Sequence, residues 1–245
     1  MRSEPELPLL ITAKQILEDL SSIIVNSRAP KVGADRLRAS LFLTIAEQFE
    51  AAFRLAEAQM VTHSASHVRS MIEALVAMRM LESNSNYVEQ MQYEKLRGEK
   101  RVYDGIFADP NIPEVLKEPL KENYEACKSG CDTFRALGLR PKKISQDLGS
   151  EKFCHLVGPY SMLCAFSHND LAVLKFRHEG QSGMAYKQAN DPSLVIAIIS
   201  AALMVLMNAT EQFGKIAQFS GGHFQDCFEA MNEKWGRMLD KSTEH

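Results

Sequence analysis

SLVIAIISAALMVLMNAT, from Ser193 to Thr210, is the stretch of sequence that decides the fold, because it contains no charged residue. A helix that is apolar around its whole circumference is typical either of a membrane span or of the centre of a helical bundle. The dipeptide Asp191-Pro192 matches an N-cap followed by a proline at the first helical position, and Glu211 follows the apolar run at once. No arginine cluster or aromatic belt flanks the segment to set an orientation in a bilayer. We therefore predict a buried central helix from Asp191 to about Gln218.

The segments on either side of this helix carry apolar residues at helical spacing. In the second predicted helix, for example, Phe42, Ile45, Phe49 and Phe53 fall on one stripe. The pattern predicts an all-α protein, a bundle of about seven or eight helices in a single domain over residues 1–245. Four other helices are predicted in the first half of the chain: Ile11 to Ser27, Ala34 to about Met60, about Ser64 to Leu81, and Asn86 to Phe107. A fifth ends near Leu137, another runs from Glu151 to about Asn169, and the last follows Gly222.

Turn-forming residues mark the boundaries between these segments. Asn86, with Glu89 three residues later, predicts a capping box at the start of the fourth helix. The segment from Leu171 to Asn190 has alternating and β-prone residues around Glu179-Gly180-Gln181-Ser182-Gly183. It is the one segment that favours strands, and it predicts a small β-hairpin or an ordered loop between helices.

Composition and charge narrow the classes of partner and compartment. The 28 basic and 31 acidic residues are mixed along the chain and give a net charge of −3, so no global field attracts nucleic acid or an anionic membrane. Five cysteines without CxxC spacing argue against a disulfide framework and a zinc knuckle. The N-terminus lacks the layout of a secretory signal. We expect a cytoplasmic protein with neither a membrane nor a nucleic-acid partner.

The third predicted helix, HSASHVRSMIEALVAMRML from His63 to Leu81, places Arg69 and Glu73 four residues apart beside its apolar face. Charges at the edge of a buried stripe need partners, because an unpaired charge in a core is costly. One interpretation is an ion pair that satisfies itself within the helix. The other is that these two side chains belong to a larger polar site.

A second segment, YSMLCAFSHND from Tyr160 to Asp170, carries Tyr160, Ser167 and His168 on one helical face. If this face packs against the third helix, its hydroxyl and imidazole groups can complete the hydrogen bonds of the Arg–Glu pair. The result would be a polar pocket between two helices. A network that only fixes the register of the helices is the alternative.

Histidines at a spacing of four suggest a further alternative, a metal site. His63 and His67 have the geometry of half a site on a helix, and Glu73, His168 or Asp170 could complete it. The sequence contains no HExxH motif and no glycine-rich phosphate loop. We therefore predict no metal and no cofactor, and keep His63 and His67 as the metal-binding candidates.

These motifs resemble an uncharacterised, mostly bacterial family of all-helical proteins that combine an Arg-xxx-Glu helix with a later Tyr…Ser-His helix, distant relatives of the HEPN superfamily. The matching residues are Arg69 and Glu73, then Tyr160, Ser167 and His168. HEPN ribonucleases carry an Arg-x(4–6)-His motif, which this chain lacks, since Arg177 directly precedes its histidine. The resemblance therefore implies a helical fold, a polar pocket and dimerisation, but no ribonuclease activity.

From these observations we predict a binding or regulatory module. Its ligand site would be formed by Arg69, Glu73, Tyr160, Ser167 and His168 and would take a small anionic ligand. Two alternatives are enzymes: one acts on a nucleotide or another phosphorylated ligand with His168 as acid/base and Arg69 on the phosphate, and the other is a metal-dependent hydrolase that uses His63 and His67.

We also predict a homodimer that assembles through the last helix. Apolar residues lie there at alternating spacings of four and three, which is typical of a packing seam. They are Phe224, Phe228, Met231, Trp235 and Met238.

Overall fold

The computed structural model describes residues 7–168, 170–180, 183–186 and 191–243. Eight long helices dominate these ranges, which confirms the predicted all-α bundle. The helices are α1 (Pro8–Val25), α2 (Gly33–Glu57), α3 (Val61–Ser83), α4 (Tyr87–Ala108), α5 (Glu114–Lys117), α6 (Lys121–Ala136), α7 (Ile144–Leu148), α8 (Cys154–Ser167), α9 (Leu171–His178), α10 (Pro192–Gly214) and α11 (His223–Thr243). The strands are β1 (Ser27–Arg28), β2 (Glu179–Gly180), β3 (Gly183–Met184) and β4 (Gln218–Phe219).

α10 is the predicted central helix, and it ends at Gly214. Its first turn is capped by Asp191, whose Oδ1 accepts a hydrogen bond from the backbone N–H of Ser193 at 2.8 Å. By length and composition α10 could cross a bilayer, yet 61% of its most apolar window is buried inside the protein, as in the core helix of a bundle.

The core around α10 is built from α1, α2 and α11. The rings of Phe42 in α2 and Phe213 in α10 stack with their centroids 4.0 Å apart. Apolar burial of this kind is the main source of stability in a helical bundle. Lys234 of α11 and Asp19 of α1 form an ion pair beside the apolar contact of their two helices.

A buried arginine lies where α2 meets the end of α10. Arg38 is only 6% exposed, and its guanidinium donates to Asp35 Oδ1 at 2.9 Å and to Gln212 Oε1 at 3.0 Å. Its Nε is buried with no hydrogen-bond partner among the described residues. Glu82 adds a longer ion pair at 3.7 Å. These contacts hold three helices in register.

The aromatic seam of α11 is used inside the protein's own core. Phe224 packs between Phe219 and Phe228, with ring centroids 4.9 and 5.5 Å away, and Met231 is fully buried. A Cβ atom on Gly214 would collide with the Phe224 ring, so α11 packs directly on the backbone of α10 at this point. Dimerisation through this helix stays a prediction.

The chain divides into two compact units: one comprises the chain up to Glu82 and again from Leu148, and the other is Ser83–Asp147. Within the second unit α4 packs on α6, where Tyr93 and Phe134 approach to 6.1 Å between ring centroids. The first unit contains the α10 core. The single domain expected over residues 1–245 remains a prediction.

The predicted small β-hairpin is present as the pair of β2 with β3, whereas the predicted capping box is wrong. The segment predicted as a hairpin or loop, 171–190, begins with the helix α9, and the strands are confined to the β2–β3 pair; residues 181–182 and 187–190 lie outside the described residues, as does Asn169. A second pair, β1 with β4, was not predicted, because strands of two residues leave no periodic signal. The capping box at Asn86 is absent: its side chain caps nothing, and its own N–H donates to Asn84 Oδ1.

Candidate functional site

The candidate site begins on the half-exposed edge of α3. The opposite face of this helix is buried through Val68, Ile72 and Leu75, which leaves Arg69 and Glu73 at the rim of the core. Arg69 Nε donates to Glu73 Oε1 at 3.1 Å, as expected for residues one helical turn apart. Their side chains are 29% and 38% exposed, so the pair is open to solvent on one side.

α8 brings a tyrosine to this pair. Leu156, Leu163 and Phe166 bury one face of α8, which directs Tyr160 towards α3. The Tyr160 hydroxyl donates to Glu73 Oε1 at 2.8 Å, and the Arg69 guanidinium carbon lies 5.5 Å from the centre of the tyrosine ring. Glu73 thus accepts from two donors through one oxygen, and a cation–π contact fixes the guanidinium over the ring.

His168 completes the group at the end of α8, where it is the C-cap residue. Its Nε2 lies 3.5 Å from Arg69 Nη1, and the imidazole is exposed. Contacts from Arg69 to His168 and from Glu73 to Tyr160 show that α3 and α8 run antiparallel here. The predicted combination of Arg69, Glu73, Tyr160 and His168 is therefore present as one cluster.

The electrostatics of the cluster keep the tyrosine neutral and the arginine charged. Burial, together with the hydrogen bond to Glu73, raises the pKa of Tyr160 to about 12, although Arg69 works in the opposite direction. Burial alone would lower the pKa of Arg69, but its interactions with Tyr160 and Glu73 outweigh that effect and raise it. The cluster presents a permanent cation beside an imidazole.

Ser167, the fifth predicted site residue, does not join the cluster. Its hydroxyl donates to the backbone oxygen of Leu163, one turn earlier in α8, at 2.9 Å. A serine that bonds to its own helix is common near helix ends. The spacing of residues cannot reveal whether the hydroxyl bonds to its own helix or to the cluster, because Ser167 lies on the same helical face in either case.

The two histidines considered for a metal site have other neighbours. His67 Nδ1 lies 2.6 Å from Gln48 Oε1, and His63 Nδ1 lies 3.4 Å from Thr62 Oγ1. Burial, with the positive charges of Arg177 and His178, lowers the pKa of His63. Within the described part of the chain no group of three or more His, Cys, Asp and Glu residues is placed to hold a metal ion.

Arg177 is a structural anchor beside the cluster that no sequence motif indicates. Arg177 of α9 donates from Nε to Thr62 Oγ1 at 3.1 Å, and from Nη2 to the backbone oxygens of Thr62 and Phe166, each at 3.1 Å. These bonds tie α9 to the start of α3 and the end of α8, next to His168. Backbone acceptors leave no trace in a sequence, so no motif could have indicated this role.

Comparison with known proteins places these residues in a family. DUF5677, a family of unknown function, matches residues 35–185, which include all four members of the cluster. No curated protein and no solved structure matches the chain. The expectation of an uncharacterised helical family is confirmed at this level. Because the match covers more than half of the 245 residues, the chain belongs to DUF5677, a family of unknown function.

Proposed function

We propose that this protein is a binding or regulatory module and that Arg69, Glu73, Tyr160 and His168 form its site for a small anionic ligand. The observation that carries the proposal is the 3.5 Å approach of Arg69 Nη1 to His168 Nε2 on the open side of the cluster. An arginine nitrogen can only donate, and a separation of 3.5 Å makes its hydrogen bond to the imidazole long and weak. A better acceptor on the open side of the cluster could therefore replace it.

An anion with several oxygens meets this need. Glu73 engages the guanidinium at Nε, so Nη1 faces a histidine, which is a poorer acceptor than a carboxylate. Phosphate or carboxylate oxygens could accept from Arg69 and His168 together in short, charge-assisted hydrogen bonds. The fixed position of the guanidinium over the Tyr160 ring reduces the entropy lost on binding.

Partial exposure supports a ligand site over a network that only fixes helix register. Networks with a purely structural role gain their effect by burial, whereas an exposed ion pair contributes little to stability. Arg69 and Glu73 are half-exposed, and His168 is exposed. The helices α3 and α8 already have buried apolar faces that hold them in place.

Calorimetric titration with inorganic phosphate tests the proposal. The wild type is expected to bind phosphate, and Arg69→Ala and His168→Ala are each expected to weaken binding about tenfold or more while they keep the wild-type circular dichroism spectrum. Arg54→Ala is the matched control, because Arg54 is an exposed arginine whose ion pairs with described residues are to neighbours on its own helix. Unchanged binding in both site variants would reject the site, and unfolding of both would assign the cluster a structural role.

A second candidate function is catalysis on a phosphorylated ligand, for which the exposed imidazole of His168 beside Arg69 is the supporting observation. His168 would exchange a proton with the group that Arg69 holds. An assay with nucleotides and simple phosphomonoesters distinguishes the two functions. Loss of turnover in His168→Gln, with normal turnover in His155→Gln on the same helix, would establish the enzyme; no turnover in the wild type would leave binding alone.

We further propose a distant relation to the HEPN superfamily and assembly as a cytoplasmic homodimer. The all-α fold and the two motif-bearing helices support the relation, and the half-exposed Trp235 on α11 offers contact area for a second copy. Light scattering tests the assembly. Trp235→Ala should reduce the mass from dimer to monomer, and a wild-type protein that already has monomer mass would refute it.

A further inference from the structure

The unit Ser83–Asp147 contains a cavity of its own, of about 250 Å³, between α4 and the segment that leads into α7. One wall is a face of α4, and the other comes from residues 142–147. Its volume lies just below the range of about 300–1,000 Å³ that is usual for drug-sized ligands, so it suits a smaller molecule. The lining residues are Tyr87, Gln90, Met91, Glu94, Lys142, Lys143, Ile144 and Asp147.

The acidic groups in the wall already have donors. Asp147 is only 5% exposed, pairs with Lys142, and accepts from the Tyr87 hydroxyl at 3.2 Å. Glu94 accepts from the side-chain amide of Gln90 at 3.1 Å and from the backbone N–H of Lys142 at 2.8 Å, and it pairs with Arg97. The carboxylates are therefore largely satisfied and do not call for a cationic ligand.

Among the lining residues that the structure describes, the unused hydrogen-bonding capacity lies mainly with Lys143. Within the described residues the ammonium group of Lys143 has no hydrogen bond or ion pair, although its backbone N–H donates to Gln146. Lys142 uses its ammonium group for Asp147 and lies 5.2 Å from the centre of the Tyr87 ring. Lys143 is exposed, and an ammonium group has three donors and no acceptor, so an anion that enters the cavity could replace the water around it.

The rest of the wall is apolar. The Tyr87 ring, Met91 and Ile144 offer a surface for a flat or compact hydrocarbon group, and methionine adapts its shape to such a group. We propose that this cavity is a binding site for a small aromatic or aliphatic monocarboxylate, whose carboxylate pairs with Lys143 and whose apolar body lies against Tyr87, Met91 and Ile144. The site is independent of the Arg69 cluster.

The experiment is a titration of the isotope-labelled full chain with benzoate, followed residue by residue in ¹H–¹⁵N spectra. Benzoate is expected to shift the signals of Gln90, Met91 and Lys143. Benzyl alcohol, which lacks the charge, and inorganic phosphate, which lacks the ring, are expected to shift these signals only at about tenfold higher concentration or above. Resolved signals separate this site from any effect of phosphate at Arg69.

Two variants complete the test. Lys143→Gln is expected to weaken benzoate binding about fivefold or more, whereas Lys95→Gln, an exposed lysine on α4 outside the cavity, should leave it unchanged. Met91→Trp should block the cavity to all three probes. The proposal would be overturned if benzoate shifted none of these signals, or if benzyl alcohol or phosphate bound at the cavity as tightly as benzoate. It would also be overturned if Lys143→Gln bound benzoate as tightly as the wild type.

Discussion

Arg38 and Arg69 are two arginines at the edge of apolar helix faces, and their surroundings differ. The Arg38 side chain is 7% exposed and is bonded to Asp35 and Gln212, whereas the Arg69 side chain is 29% exposed and has an imidazole next to its Nη1. A buried cation has to be satisfied by the fold itself, because water cannot reach it. A half-exposed one can exchange solvent for a ligand. Burial, and not residue type, thus separates a structural arginine from a candidate binding arginine.

The largest effect is expected from Arg38→Ala. Removal of this side chain leaves Gln212 without its buried donor and opens a cavity between α2 and α10, which should lower the free energy of unfolding by about 3 kcal/mol. Urea denaturation measures the loss. Arg36→Ala, an exposed arginine of the same helix, serves as the control, and a loss as small as that of the control would remove the distinction between Arg38 and Arg69.

Tyr160→Phe should have an intermediate effect of about 1 kcal/mol, because it removes the hydroxyl that donates to Glu73. The effect depends on pH. The pKa of Tyr160 is raised from its ordinary 10.0 to about 12 in the folded protein, so the stabilisation is complete below pH 10 and is lost as pH rises through about 12.

Urea titrations across the alkaline range check this profile. The alkaline loss of stability should be smaller in Tyr160→Phe than in the wild type, and Tyr186→Phe, at a highly exposed tyrosine, should behave as the wild type. Parallel profiles for Tyr160→Phe and the wild type would contradict a role for this hydroxyl.

Arg69→Ala should change stability less than Arg38→Ala or Tyr160→Phe, by about 0.5 kcal/mol, because its ion pair is partly exposed and screened by solvent. Thermal denaturation of Arg69→Ala and Arg38→Ala compares the loss of stability in the two variants directly. A loss in Arg69→Ala equal to that in Arg38→Ala would make both arginines structural and would count against the proposed ligand site.

The smallest expected effect is a shift in the titration of His63. Its pKa lies below the ordinary 6.5 because of burial and of the charges of Arg177 and His178, so its protonation costs stability as pH falls. In an NMR titration, Arg177→Gln should raise this pKa towards 6.5. An unchanged pKa would show that Arg177 does not contribute to lowering it.

The parts of the fold and of the candidate site that could be predicted are those in which residues recur at helical spacing over a long stretch of sequence. The uncharged run in α10 and the Asp191 cap were both identified, and the spacing of Arg69 with Glu73 and of Tyr160 with His168 indicated their meeting. The Ser167 hydroxyl bonds to its own helix and not to the cluster, and the sequence does not show this bond.

Features that depend on distant or backbone contacts could not be predicted. The cavity in Ser83–Asp147 brings Tyr87 beside Asp147 across 60 residues, and its second wall begins in a connector without periodicity. The role of Arg177 rests largely on backbone oxygens. Neither arrangement is encoded by spacing within one helix, and both follow only from tertiary packing.

The stacking of Phe42 on Phe213 has a consequence for a fragment that contains only the segment matched by the family. The match to DUF5677 covers residues 35–185 and includes Phe42, but it stops before α10, which supplies Phe213 and much of the core. A fragment cut at the ends of the match would expose the apolar face of α2 to water. We therefore expect that the matched segment of this chain does not fold on its own.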